Sequence, residues 1–191
     1  MNSRVLLIDN HDSFTFNLVQ LLNETGMCEV KVVKNDTLHS DLALQYEKIL
    51  ISPGPGIPSE AGQLMEFLRC LKPTSSLLGI CLGHQAIAEC FGGSLIRTPQ
   101  IAHGALKEIT IDQPADPLFQ GIPARFNAGL YHSWAVDPVS FPPGLRISAR
   151  SNDGVIMAFT HTSRNIRGVQ FHPESIMTPC GPLLIKNWLS L

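Results

Sequence analysis

The sequence predicts an α/β fold in three layers, with a mainly parallel central sheet, helices on both of its faces and a small antiparallel portion. Two observations carry this expectation. The runs Val5-Leu6-Leu7-Ile8, Ile49-Leu50-Ile51 and Leu77-Leu78-Gly79-Ile80 are continuously apolar, as expected of strands covered on both faces. Between them lie segments with helical spacing and helix-ending glycines, and strands alternating with helices imply parallel pairing.

In chain order, Val5–Ile8 is a first strand, and Asp12 or Ser13 is placed to cap a helix that carries Phe14, Leu18, Leu21 and Leu22 on one side and ends at Gly26. Val30–Val33 and Ile49–Ile51 are the next strands. A helix near Glu60–Leu71 leads to the strand Leu77–Ile80, and another runs from Leu82 to about Phe91, closed by Gly92-Gly93. From Ser94 to Phe159 the chain is rich in proline and short apolar runs, which predicts smaller, partly antiparallel strands with long loops. The strand Gly168–Phe171 follows, then a turn at His172-Pro173. A last helix spans Pro182–Leu189, with proline in the first turn, where a missing N–H is harmless.

At 191 residues the chain is expected to form one domain over 1–191. With 44% hydrophobic and 16% charged residues, it reads as globular. A net charge of −2 without a basic stripe argues against nucleic acid as a partner. The apolar runs are too short for membrane spans, and no secretory signal pattern opens the chain. Five cysteines without a C-x-x-C pair argue against a disulfide framework or a zinc site and for the cytoplasm. Without a secretory route, the sequon Asn35-Asp36-Thr37 carries no glycan.

The sharpest local feature is Gly79-Ile80-Cys81-Leu82-Gly83. A buried strand feeds a helix through a turn with glycine two positions before and after a cysteine, which is the nucleophile elbow with Cys for Ser. The helix N-terminus favours a thiolate there, and the Leu82 N–H is placed to bind an oxyanion. The competing reading of Cys81 is a core cysteine between packing glycines; Cys28, Cys70, Cys90 and Cys180 read as small buried hydrophobes. A thiol nucleophile needs a base with an orienting group. Of seven histidines, His172 stands at the end of a strand, where α/β sites form, and Glu174 lies two residues on. In an extended turn that spacing sends both side chains the same way, so Cys81, His172 and Glu174 would act as nucleophile, base and orienter. His84 could compete as base but reads as structural; His103 and His132 stay open, and His11, His39 and His161 read as surface or turn residues. Ser52-Pro53-Gly54-Pro55-Gly56, after the strand Ile49–Ile51, is either a plain turn or a cradle of N–H groups for an anion.

Three motifs coincide in order: Pro53-Gly54-Pro55-Gly56, Gly79-Ile80-Cys81-Leu82-Gly83-His84-Gln85 and Phe171-His172-Pro173-Glu174-Ser175. Together they resemble the class I (triad) glutamine amidotransferases, over essentially the whole chain. The opening Asp9-Asn10-His11-Asp12-Ser13-Phe14-Thr15-Phe16-Asn17, with Ala86-Ile87-Ala88, Phe91-Gly92-Gly93 and Tyr131-His132-Ser133-Trp134, resembles the small subunits of anthranilate synthase and aminodeoxychorismate synthase. The resemblance implies a flavodoxin-like fold and a Cys81–His172–Glu174 triad that hydrolyses L-glutamine. It implies substrate contacts from Gly54, Pro55, Gly56, Leu82, Gln85, Ser133 and Trp134. It also implies delivery of ammonia to a chorismate-binding synthase subunit, with no metal or organic cofactor in this chain. Anthranilate and 4-amino-4-deoxychorismate both stay open as products. One departure concerns the partner interface: after His103-Gly104 the family usually has Lys or a similar polar residue, and this chain has Ala105. Two rival readings stand beside this one, a stand-alone γ-glutamyl thiol hydrolase and a non-catalytic sensing or structural relative of the same fold.

Overall fold

The computed structural model describes residues 3–98 and 102–191. In chain order its elements are β1 (Ser3–Asp9), α1 (Thr15–Glu24), β2 (Cys28–Lys34), α2 (Leu42–Gln45), β3 (Lys48–Ile51), α3 (Leu64–Arg69), β4 (Ser76–Ile80) and α4 (Leu82–Cys90). There follow β5 (Leu95–Arg97), β6 (Ala105–Ile111), β7 (Arg125–Leu130), β8 (Trp134–Val136), β9 (Leu145–Ser151), β10 (Ile156–His161), β11 (Ile166–Val169) and α5 (Gly181–Leu189).

The expected fold class holds. Among the described residues a nine-stranded sheet has the order β2-β1-β3-β4-β11-β10-β9-β6-β7. From β2 to β11 every pairing is parallel; β10, β9, β6 and β7 continue the same sheet by antiparallel pairing. A separate antiparallel pair joins β5 to β8. The apolar runs explain the layering, because successive side chains of a strand point to opposite faces. Val5 and Leu7 of β1 pack in one core with Leu18 and Leu22 of α1 and Leu184 and Trp188 of α5. Leu6 and Ile8 pack in the other with Leu64 and Phe67 of α3 and Ala86 and Ile87 of α4. Each fully buried Val, Leu, Ile or Phe among them contributes about 1.5–3 kcal/mol of transfer free energy.

Several local expectations need correction. Neither Asp12 nor Ser13 caps α1: its N-cap is Phe14, which makes no side-chain cap bond. Asp12 instead closes the preceding turn, its Oδ1 accepting from the Phe14 N–H at 2.8 Å. The helix placed near Glu60–Leu71 is confined to Leu64–Arg69, because a short 3-10 turn over Pro58–Glu60 and a left-handed Gly62 (φ +57°) precede it. The strands of the proline-rich stretch are not uniformly small: β6 and β9 each have 7 residues, as many as β1. Pro114, Pro117, Pro123, Pro138, Pro142 and Pro143 all lie in the connections, so the ladders lose no donors. Residues 99–101 of that stretch lie outside the described residues. Cys70 is exposed and Cys90 and Cys180 are half-buried, so of the four cysteines read as buried only Cys28 is so; all five are free thiols. No helix among the described residues is long and apolar enough to cross a membrane.

Candidate active site

Parallel pairing of β1, β3, β4 and β11 brings their C-terminal ends to one edge of the sheet. β4 ends at Ile80 and the neighbouring β11 at Val169, paired in register, so Cys81 and Gln170 follow abreast. The Cys81 N–H donates to the Val169 carbonyl at 2.8 Å, fastening the elbow to the strand that leads to His172. Sequence separation between the two is therefore erased by strand adjacency.

The turn at Cys81 is strained. Cys81 has φ +50° and ψ −101°, a conformation that L-residues rarely adopt and that costs of order 1–3 kcal/mol. Both flanking glycines are enforced by close approach. A Cβ on Gly79 would lie 2.4 Å from the carbonyl carbon and oxygen of Gly83, and one on Gly83 would lie 2.8 Å from the Ile51 carbonyl oxygen. Cys81 is buried at the N-terminus of α4, where backbone N–H groups are free of intrahelical partners.

Beside it, the 52–56 loop is held from below. Asn10 Nδ2 donates to the Ser52 carbonyl at 2.8 Å, and the Asn10 N–H donates to Ser52 Oγ at 2.9 Å. Asn35, the sequon asparagine, is buried and donates from Nδ2 to Asn10 Oδ1 at 3.1 Å. A Cβ on Gly54 would sit 2.5 Å from Asn10 Cβ and 2.8 Å from Leu82 Cδ2, so loop, elbow and β1 pack without slack. Gly54, Pro55, Gly56, Cys81, Gln85, Ser133 and Trp134, all singled out in the sequence, line one cavity of about 140 Å³ together with Tyr131 and His132. Leu82 does not line that cavity; its side chain is buried beneath, in the core with Ile51.

His172 and Glu174 are both buried and form a close pair, His172 Nδ1 donating to Glu174 Oε1 at 2.6 Å. Burial alone would lower the His172 pKa, but contacts with the Cys81 thiol and the Glu174 carboxylate outweigh it and raise it to about 10. The contacts with sulfur and carboxylate thus favour the charged form of the imidazole. Its Nε2 and Glu174 Oε2 are buried with no hydrogen-bond partner. Glu174 lines a second, larger cavity of about 560 Å³ with Phe14, Asn17 and Ser175. Tyr131 borders both cavities, its ring 4.9 Å from that of His172 and 5.4 Å from that of Phe14.

The other histidines are elsewhere or electrically silent. His84 is fully buried and stacked 4.5 Å from the Phe159 ring, and burial lowers its pKa to about 3, so it is neutral and structural. His132 has its Nδ1 3.0 Å from the Trp134 carbonyl, and burial lowers its pKa to about 4. His103, His11 and His39 are exposed, and His161 is half-buried beside Phe91.

Two residues escape a reading of the sequence alone. Gln170 is fully buried and donates from Nε2 to Cys81 Sγ at 3.5 Å. The available signal is a polar residue within the apolar run Gly168–Phe171. Asn10, the brace beneath the 52–56 loop, figures in the sequence only as part of the opening motif; its signal is an amide directly after an apolar strand.

Comparison with known proteins matches the chain to a family. The family described as glutamine amidotransferase class-I matches residues 6–190. The chain belongs to the class I glutamine amidotransferases. Among its relatives is the anthranilate synthase component 2 of Mycobacterium tuberculosis, 44% identical over 98% of this chain and 82% of that protein. The aminodeoxychorismate/anthranilate synthase component 2 of Bacillus subtilis is 41% identical over 97% of this chain and 95% of that protein. In fold, the chain is similar to a Thermotoga maritima glutamine amidotransferase, with a TM-score of 0.73 at 19% identity, covering 100% of this chain and 82% of that one. It is also similar to a Thermoplasma acidophilum protein provisionally named for GMP synthase. There the TM-score is 0.88 at 23% identity, covering 100% of this chain and 94% of that one.

Proposed function

We propose that this class I amidotransferase, a single domain over 1–191, is the glutaminase subunit of a cytoplasmic chorismate-using synthase, making 4-amino-4-deoxychorismate or anthranilate. The names of relatives at 41% and 44% identity, all but full length for this chain, support the partner class. The observation that carries the chemistry is the His172–Glu174 pair, buried at 2.6 Å and interacting with a strained Cys81.

In this reading the Cys81 thiolate, paired with the His172 imidazolium, attacks the carboxamide carbon of L-glutamine. The carbonyl oxygen becomes an oxyanion facing the N–H groups of Gly56 and Leu82; loss of one such donor costs about 10²–10³ in rate. Gly56, at φ +74°, turns the loop so that its N–H can face the cavity. His172 gives its proton to the departing nitrogen, ammonia leaves, and a glutamyl thioester remains on Cys81. Water then attacks the thioester, with His172 taking its proton, and glutamate is released. Glu174 keeps the imidazole oriented and stabilises its charged form throughout.

Gln85 holds the amino-acid end of the substrate with the main chain of Ser133 and Trp134. Its amide nitrogen is committed to two carbonyl acceptors, Trp134 O at 2.9 Å and Gln170 Oε1 at 3.1 Å. Its oxygen is therefore the atom left to accept from the α-ammonium group. Ammonia must reach the partner unprotonated, since ammonium has no lone pair, so tight association and weak glutaminase activity alone are expected.

The test is to mix the chain with each candidate chorismate-binding synthase chain and identify the aminated product. Cys81→Ala should abolish glutamine-dependent synthesis and leave ammonia-dependent synthesis intact. Glutamine still supporting product in that variant, or full glutamine turnover by the chain alone, would refute the assignment.

A further inference from the structure

The mechanism leaves one buried polar group at the nucleophile without a role. Gln170 has no solvent-exposed surface, and its backbone is pinned by its N–H donating to the Met157 carbonyl at 2.9 Å. Its side chain ends on the sulfur, Nε2 to Cys81 Sγ at 3.5 Å. A side-chain amide is two-faced, and its oxygen in that place would repel a thiolate. The surroundings forbid that orientation. The Trp134 carbonyl can only accept, so the Gln85 atom facing it is the amide nitrogen. That same nitrogen faces Gln170, so the Gln170 atom opposite it is the oxygen. The remaining Gln170 group, turned to Cys81, is then necessarily the NH₂. A backbone carbonyl thus sets, through two amides in series, the polarity of the group that touches the nucleophile.

We propose that Gln170 is a catalytic residue that holds Cys81 in the thiolate form, and that Gln85 fixes its donor polarity. This rests on the triad reading above and gives the sulfur a hydrogen-bond donor in addition to the nearby charge of His172. A hydrogen bond to the ionised form of a group favours that form, and charge-assisted bonds are the stronger kind. The polarity relay also gives Gln85 a second duty: the residue that receives the substrate's amino-acid end also keeps a donor aimed at the attacking atom.

The experiment follows the rate of Cys81 carboxamidomethylation by iodoacetamide, read by mass spectrometry from pH 5 to 10, on the whole chain. Gln170→Met keeps the length and removes the donor. The inflection should move up by about one pH unit, so that labelling well below it slows about tenfold. Gln85→Met, which frees the Gln170 amide to turn over, should move it in the same direction by less. Gln170→Leu repeats the test if the methionine variant does not fold. An unchanged inflection in a folded Gln170 variant overturns the proposal. A shift in Gln170→Met with none in Gln85→Met overturns the relay while leaving the donor in place. Wild-type chain run alongside separates these outcomes from failure of the triad reading: labelling of Cys81 that glutamine does not protect would refute that reading, whatever Gln170 does.

Discussion

Replacing Gly79 by alanine isolates the steric demand of the elbow from backbone strain. Gly79 does not have a positive φ, so alanine there meets no intrinsic conformational penalty. The added Cβ would meet Gly83 C and O at 2.4 Å and Ile87 Cδ1 at 2.6 Å. Ile87 has a flexible tip, but Gly83 offers backbone, which moves only by displacing α4 from the sheet. Overpacking costs about 1–3 kcal/mol when side chains can yield, so about 3 kcal/mol or more is expected here. Gly92→Ala is the matched control: at φ +93° with nothing within 4 Å of its Cβ, it carries strain alone, roughly 1–2 kcal/mol. For a chain of this size each kcal/mol moves the thermal midpoint by about 2–4 °C. Gly79→Ala should therefore lower Tm by about 6–12 °C, clearly more than Gly92→Ala, and the urea midpoint should fall in step. It should also weaken glutamine turnover in the survivors, because Cys81 is displaced with the helix that begins after it. If Gly79→Ala proves no more costly than Gly92→Ala, the account of the elbow as a steric necessity is wrong.

Glu174→Gln keeps the shape of the orienting group and removes its charge; glutamine hydrolysis should fall by about 10²–10⁴-fold in steady-state assays of the assembled enzyme. Cys81→Gly should be at least as stable as Cys81→Ala in urea denaturation, because glycine relieves the φ +50° strain that alanine retains. His132 has its pKa lowered from 6.5 to about 4, so its neutral form stabilises the fold fully above pH 6.5 and this contribution is lost as pH falls through about 4. His132→Gln should accordingly flatten the loss of stability between those limits, and an acid limb as steep as the wild type's would contradict the assignment of His132 as a buried neutral group.

Much of the architecture was legible because β1, β3 and β4 are buried on both faces, and burial on both faces writes an uninterrupted apolar run. Hydrophobic pattern said less about β6, β9 and β10. Their edges are set by long-range antiparallel pairing, and the prolines that made the stretch look irregular sit between the ladders. Cys81, His172 and Glu174 were readable for a different reason. An elbow needs glycines at fixed offsets, and a histidine at a strand end followed two residues on by a carboxylate leaves a short local pattern. The resemblance then joined pieces that single-sequence spacing cannot bring together. Gln170 and the brace at Asn10 were not readable as site residues, because their roles lie in whom they touch: a sulfur on the neighbouring strand's turn and a loop some forty positions away.

The placement of β11 has a consequence for how the molecule comes alive. A domain generally folds as a unit, and only once its last strand has been made. β1 to β4 and the elbow are synthesised early, yet the slot beside β4 must wait for a strand made late in the chain, which also has to dock on β10. Until that insertion the sulfur has neither the His172 ring nor the Gln170 amide beside it. On the proposed function a nascent chain would carry an unarmed thiol, and closing the sheet would be the same event as switching on the chemistry.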